Sequence, residues 1–383
     1  MLVGGAVRDL LRDRPPRDFD IATDASIEEI RAQFRNSKTI GKRFPIVHTY
    51  FGNEVVEISS LKGEQDQDKY ALIYEDASRR DFTVNALYYD IVDFKIIDPL
   101  GALDDVLEGR VVSIGDAAER FEEDPIRMLR AVKLEAKQGF ALNSDIETTI
   151  REHQDWTSKV GSGRRYEELT RVLLDDNVID ILNSCHKYGL FAQLWPEGDQ
   201  FMTQKDLPYF EEVRDSVPIV YSRGSFAKQS HTHLWMRLFM DSSFYKPTTS
   251  ATELKTQLAR FLGPLGMPFQ NPIVDTLLWT SHIRLKSGVN PRVMALTSET
   301  RELLSYFAEQ TTEEEREAVN LFVANLRPEK KRRRKRPRRG KAKLPPENVA
   351  TQPKAAEATE DGKPKRRRRR RRRSRKKAKA TEN

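Results

Sequence analysis

Leu2–Leu11 reads LVGGAVRDLL, and seven residues later Asp18–Ala25 reads DFDIATDA. The first stretch is a short apolar strand, Leu2–Val3, broken by Gly4 and Gly5 and continued as the helix start AVRDLLRD. The second is a strand in which residues two apart project to one side, so Asp18 and Asp20 share a face while Phe19 and Ile21 face the core. Two carboxylates held that close repel each other unless a cation lies between them. An all-oxygen site of one or two carboxylates suits Mg²⁺ together with substrate phosphates. Taken alone, the pair also suits a solvated turn. The glycine pair lets backbone N–H groups approach a phosphate at a helix start, and equally serves as a tight strand–helix turn.

Working outward, short strands alternate with helices up to about residue 110. SIEEIRAQFRN (26–36) is a helix with Ser26 as N-cap and Glu29 in the capping-box position. FPIVHTYF (44–51) and VVEISSL (55–61) form a β-hairpin, and FTVNALYYDI (82–91) with KIIDPL (95–100) a second strand pair turning at Val92–Phe94. This pattern predicts a small α/β or α+β domain. Beyond it the periodicity is helical. DPIRMLRAVKLEAKQG (124–139) stops at Gly139, and RRYEELTRVLLDDNVIDILNSCHKYG (164–189) stops at Gly189. Further helices are expected at 253–262, 273–286 and 312–326, with loops at 240–252 and 263–272.

The chain has 383 residues, of which 38% are hydrophobic and 32% charged, and a net charge of +8. That charge is unevenly placed. Residues 327–383 hold 27 Lys and Arg against 6 Asp and Glu, which leaves 39 basic and 52 acidic residues before them. A tail of net +21 on a body of net −13 points to a polyanionic partner gripped through phosphates. The tail, without aromatic residues, has too little apolar surface to fold and is expected to be disordered. The single cysteine, Cys185, excludes an intrachain disulfide and fits a reducing compartment; its helical setting makes it a small core residue. No apolar run is long enough for a membrane span, and no signal peptide is seen. His231 and His233 lack further ligands nearby and read as structural.

LVGGAVRDLL…PRDFDIATDA, EDASRRDFTVNALYYD (75–90), DPLGALDDV (98–106) and RFEEDPIRMLRAVK (120–133) occur in that order. Together they resemble the successive motifs of the class II nucleotidyltransferases, the family of tRNA CCA-adding enzymes and bacterial poly(A) polymerases. The resemblance implies a nucleotidyltransferase palm at 1–110, a helical neck for nucleotide recognition at 111–200, a helical RNA-binding body at 201–326 and the basic tail at 327–383. It implies that Asp18 and Asp20 hold two Mg²⁺ ions and that Glu57 is the third strand carboxylate. Gly4, Gly5 and Arg8 are implied at the triphosphate of ATP, and Arg80, Asp81 and Asn85 near the ribose and phosphates. Asp124 and Arg127, one turn apart on a shared helix face, are implied to read the base edge, with Arg130 one turn on. An N-terminal capping salt bridge between Asp124 and Arg127 is the plainer alternative.

Between the two branches, TIGKRFPIVHTYF (39–51) resembles the Gly-basic-basic-Phe signature of bacterial poly(A) polymerases, with Thr39 in place of a usual aliphatic residue. The polybasic tail is similar to that of proteobacterial members, and its grip on RNA phosphates suits an enzyme acting on many RNAs. The resemblance therefore implies transfer of AMP from ATP to RNA 3′ ends in a bacterial cytoplasm, in mRNA polyadenylation and in company with the RNA-decay machinery. A tRNA CCA-adding or A-adding enzyme stays open as the second reading, and an RNA-binding protein with an inactive palm as the third. Relatives carry a helix and most of a strand before LVGG, so the palm is expected to be N-terminally incomplete or its start to lie elsewhere. The segment KGEQDQDKYALIYEDA (62–77) is shorter than the flexible loop common in the family.

Overall fold

The computed structural model describes residues 1–324 apart from 17, 42–44, 53, 62–67, 203–204, 222–226, 230, 268–269, 285–297 and 310. The described residues all belong to the compact unit Met1–Lys330. The basic tail, Lys42–Phe44 of the GKRF motif and most of the 62–77 loop's first half lie outside the described residues.

The N-terminal elements are β1 (Leu2–Val3), α1 (Gly5–Leu11), β2 (Phe19–Thr23), α2 (Ile27–Gln33), β3 (Ser37–Ile40), β4 (Ile46–Phe51), β5 (Glu54–Ser60), α3 (Lys69–Ser78), β6 (Tyr88–Asp90) and β7 (Lys95–Ile97). The seven strands form one sheet in the order β3-β4-β5-β2-β1-β6-β7. Only β2 and β5 pair in parallel, and they set Asp20 beside Glu57; the other neighbours are antiparallel. Each face of the sheet is covered by a helix. On one, α2 brings Ile30 onto Val47 and Ile58. On the other, α3 brings Ile73 and Ala77 onto Val3, Ala22, Leu61 and Tyr88.

Ser26 caps α2 as expected, accepting from the Glu29 N–H while the Glu29 carboxylate accepts from Ser26 N–H at 2.8 Å. Two expectations are corrected. Phe19 does not face the core: it is 44% exposed, and the most buried residue of β2 is Ala22, on the aspartate side. FTVNALYYDI is not one strand. Thr83–Asn85 form a 3₁₀ turn, and only Tyr88–Asp90 pair in the sheet. Backbone N–H groups here find nearer partners than a neighbouring strand, such as Ala86 N–H to Thr83 C=O at 2.8 Å.

The chain then turns helical: α4 (Leu103–Glu108), the short β8 (Arg110–Val111), α5 (Ala117–Glu123), α6 (Ile126–Gln138), β9 (Ala141–Leu142), α7 (Ser144–His153), α8 (Ser162–Leu173), α9 (Val178–Lys187), α10 (Leu190–Leu194), α11 (Pro196–Met202) and α12 (Leu207–Ser216). A small hairpin, β10 (Ile219–Tyr221) and β11 (Ala227–Gln229), precedes α13 (His231–Met240), α14 (Ala251–Leu262), α15 (Gln270–Arg284), α16 (Ser298–Glu309) and α17 (Glu313–Ala324). The architecture is α+β, a mixed sheet followed by a helical array. One core runs from Val7 of α1 through Met128, Leu129 and Val132 of α6 to Trp195, Trp235 and Phe261. It ties the sheet end of the molecule to the helices, so α6 has fixed neighbours on its apolar side. Helix α6 stops at Gly139, whose φ of 66° is left-handed and whose N–H bonds Glu135 C=O. His233 is buried against the edge of Tyr306, and Cys185 is buried with its thiol pushed up to about 12 by burial. Cys185 is thus a small core residue, as expected. Among the described residues no helix is long and apolar enough to cross a membrane.

Candidate active site

Helices α1 and α6, the β1–α1 turn and the turn after α3 enclose an open cleft of about 770 Å³. Every sequence-predicted site residue except Glu57 lines it. The turn at Gly4 positions the floor. Gly4 has φ 70° and ψ −133°, and its N–H bonds Leu87 C=O at 3.0 Å. The glycine is required by its backbone conformation, and a β-carbon there would lie 3.1 Å from Arg80 Nη1, so that the guanidinium would have to shift by a few tenths of an ångström. Helix α1 is only seven residues long. Positive charge on this wall therefore comes from side chains more than from the helix itself.

Those side chains form a connected network. Arg8 lies almost wholly out of solvent, its Nη1 donating to Asn85 Oδ1 at 2.6 Å and its Nε to Asp9 at 2.9 Å. Asn85 Nδ2 donates in turn to Asp81 Oδ1 at 3.1 Å, and Arg130 Nη2 lies 2.9 Å from Asp81 Oδ2. The 3₁₀ turn is what aims Asn85 and Asp81 at each other. Arg80 donates to Asp76 Oδ2 at 2.9 Å and to Asn85 C=O at 3.0 Å, and stacks on the Tyr88 ring. The Tyr88 hydroxyl donates to the same Asp76 oxygen at 2.6 Å. Guanidiniums held at both ends in this way present fixed donors to the cleft.

Asp18 lies exposed just before β2 and Asp20 within it, and both face the cleft. The Asp20 carboxyl is pushed up to about 6, first by burial and then by the charge of Glu57, with Arg80 opposing and Asp18 adding. Burial and the neighbouring carboxylates thus disfavour the charged form, and the donor set fits a hard divalent cation. Glu57, directly beside Asp20 in the sheet, is paired to His48 Nε2 at 3.0 Å on the next strand. Glu57 is about half exposed and does not line the cleft. Among the described residues no three His, Cys, Asp or Glu side chains converge closely enough to hold a metal.

The sharing of a helix face by Asp124 and Arg127 is corrected. Asp124 ends α5 in an extended conformation (φ −147°, ψ 90°) and precedes α6, because Pro125 at the helix start disfavours helical backbone at the residue before it. Among the described residues the two side chains form no ion pair with each other. Asp124 Oδ2 takes a bond from Arg164 Nη2 at 2.8 Å, and Arg127 Nη1 donates to Arg120 C=O and Glu123. Both still line the cleft. Residues not foreseen are Arg14, Arg79, Lys133, Lys137, Gln138 and Asn177. Lys133 and Lys137 continue the three-to-four spacing of Arg127 and Arg130 along α6, a signal present in RMLRAVKLEAKQ. Arg14 and Asn177 carry no such signal.

Residues 1–112 match the family model described as the poly A polymerase head domain, and residues 139–202 that of the probable RNA and SrmB-binding site of polymerase A. Poly(A) polymerase I of Salmonella typhi is 33% identical over 231 residues, covering 55% of this chain and 50% of that protein. The CCA-adding enzyme of Bacillus licheniformis is 33% identical over 201 residues, half of each chain. The chain thus spans about half the length of the curated relatives it matches. In fold it is similar to a solved CCA-adding enzyme in complex with ATP, at a TM-score of 0.50 and 19% identity over 84% of this chain and 77% of that one. With three of the four motifs meeting in one cleft and two family models matching in sequence, the chain belongs to the class II nucleotidyltransferases, the family of the bacterial poly(A) polymerases and the CCA-adding enzymes.

Proposed function

We propose that the protein transfers AMP from ATP to the 3′-hydroxyl of RNA without a template, as a polynucleotide adenylyltransferase. The observation that carries this reading is the meeting, in one cleft, of the aspartates Asp18 and Asp20 with the guanidiniums of Arg8, Arg80 and Arg130. Carboxylates short of counter-charge suit Mg²⁺, and a row of anchored cations suits a triphosphate. Magnesium bound at Asp18 and Asp20 supplies a charged centre for the attacking hydroxyl and the leaving pyrophosphate.

The chain's own residues do the rest. Gly4 and Gly5 leave room for phosphate oxygens, and Arg8 and Arg80 face them. Asp81 and Asn85 hold Arg130 and Arg8 in place and offer a carboxylate and an amide to a ribose hydroxyl, which both donates and accepts. Asp124 and Arg127, each steadied by a separate partner, present an acceptor and donors to a base edge. Such pre-positioned groups reorganise little as charge develops on the phosphate. Glu57 acts from beside Asp20, opposing its ionisation until a cation binds. In domain terms, residues 1–110 serve as palm, 111–200 as neck, 201–326 as RNA-binding body and the basic tail as a phosphate grip. The wider setting we infer is RNA processing or decay in a bacterial cytoplasm.

Adenylate specificity draws support from the GKRF motif and the basic tail. CCA addition is the second reading, favoured by relatives of equal identity in that branch. The test is to supply purified protein and Mg²⁺ with each nucleotide in turn, on a generic oligoribonucleotide and on a tRNA lacking its terminal CCA. Long adenylate tails on both RNAs are expected, with none from Asp18→Ala or Asp20→Ala. Addition of CTP and ATP confined to the tRNA and stopping after CCA would replace this reading by the second.

A further inference from the structure

Eight cationic side chains line the cleft: five arginines on or near α1, the turn after α3 and the start of α6, then Arg130, Lys133 and Lys137 along α6. Seven of them are spoken for. Arg8 rests on Asp9 and Asn85, Arg14 on Gln138, Arg79 on Glu75, Arg80 on Asp76, Arg127 on Glu123, Arg130 on Asp81 and Lys137 on Asp175. Among the described residues Lys133 alone of the eight makes neither a hydrogen bond nor an ion pair.

Its surroundings make that isolation costly. Lys133 lies midway between Arg130 and Lys137 on α6, whose opposite face packs Met128, Leu129 and Val132 into the core. Burial holds its ammonium below the usual lysine range; of the charges around it, Glu168 and Asp175 favour the charged form while Lys137 and Arg171 oppose it. An ammonium half out of water with no partner destabilises the free protein. Six of the seven paired cations face a carboxylate and hold geometry, and Arg14, on the neutral amide of Gln138, lies exposed to water. Lys133 is the cation that is both withdrawn from water and without a hydrogen-bonded partner, so it has charge to give to an incoming anion. Three of the four charges that act on it, Glu168, Arg171 and Asp175, lie in the stretch 139–202 that matches the RNA-binding family model.

We propose that Lys133 is a phosphate-binding residue of the cleft, and that its place beside α8 directs it to a backbone phosphate of the RNA strand whose 3′ end enters there. The inference rests on the reading under Proposed function for the identity of that strand. The other source of the same chemistry is the triphosphate of the nucleotide, and the experiment separates the two. Lys133→Met keeps the aliphatic stem and removes the charge, while Lys133→Arg keeps the charge.

Full-length wild type and both variants are titrated with a short oligoadenylate alone, across a salt series, and separately with ATP and Mg²⁺. Loss of one charged phosphate contact should weaken oligoadenylate binding of Lys133→Met about tenfold and lower its log–log salt slope by about 0.7. ATP binding should be unchanged, and Lys133→Arg should bind RNA close to wild type. In turnover the loss should fall on KM for RNA more than on kcat. Weaker ATP binding with intact RNA binding would also support a phosphate role and assign it to the nucleotide. Thermal unfolding of Lys133→Met should be at or above that of wild type, since an unpartnered charge has been removed; a purely structural lysine would lower it. Oligoadenylate and ATP affinities both equal to wild type would overturn the proposal. If wild type transfers no nucleotide at all, the proposed function fails while the two binding titrations still decide the role of Lys133.

Discussion

Asp20→Asn should make the metal-free protein more stable at neutral pH, although it removes a residue assigned to the reaction. The substitution keeps the shape of the side chain and deletes its charge. In the folded protein Asp20 is partly buried, faces Glu57 across the β2–β5 pairing and has Asp18 two residues away. Its carboxyl therefore titrates near 6 instead of 3.8. A carboxyl raised in this way binds its proton more tightly folded than unfolded. Stability on account of this group is lowest above 6, rises as pH falls through 6, and has been fully regained below 3.8. Above 6 the ionised group costs the folded state up to about 3 kcal/mol, and partial solvent contact brings the expected figure nearer 2. Urea denaturation in EDTA measures it. The variant should exceed wild type by about 2 kcal/mol near pH 8, and the gap should close near pH 4. Added Mg²⁺ should narrow the gap at the higher pH, because the cation provides the counter-charge that wild type lacks. A variant no more stable than wild type in EDTA near pH 8, or one whose advantage persists unchanged near pH 4, would refute the electrostatic reasoning.

Gly4→Ala should cost about 1–3 kcal/mol of stability, because the backbone there is nearly closed to other residues, and should weaken ATP binding by displacing Arg80; urea midpoints and ATP titration check both. Removal of residues 327–383 should weaken RNA binding and flatten its salt dependence while leaving ATP affinity unchanged, since the tail carries net +21 and the rest of the chain net −13. Equal RNA affinities and equal salt slopes with and without the tail would sink that assignment.

Much of the fold could be read from the order of residues because its causes are local. The capping box at Ser26, the glycine stop at Gly139 and the hairpin of β4 with β5 each rest on neighbours a few positions apart. The paired aspartates and the motifs around them likewise identified which side chains would share a cleft, for eleven of the twelve site residues named in advance line it. Tertiary packing decided what local pattern could not. Asp124 left the helix face because Pro125 disfavours helical backbone at the residue before it, and its carboxylate went to Arg164, forty positions away. The parallel pairing of β2 with β5 set Glu57 beside Asp20, while β4 supplied the histidine that holds it. Which cations keep a free charge is the plainest case. Arg130 and Lys133 occupy the same stripe of one helix and read alike in sequence, but Asp81 pairs with the first, while among the described residues no carboxylate forms an ion pair with the second. Charge pairing depends on where distant carboxylates arrive when the chain folds, and periodicity along a helix carries no record of that.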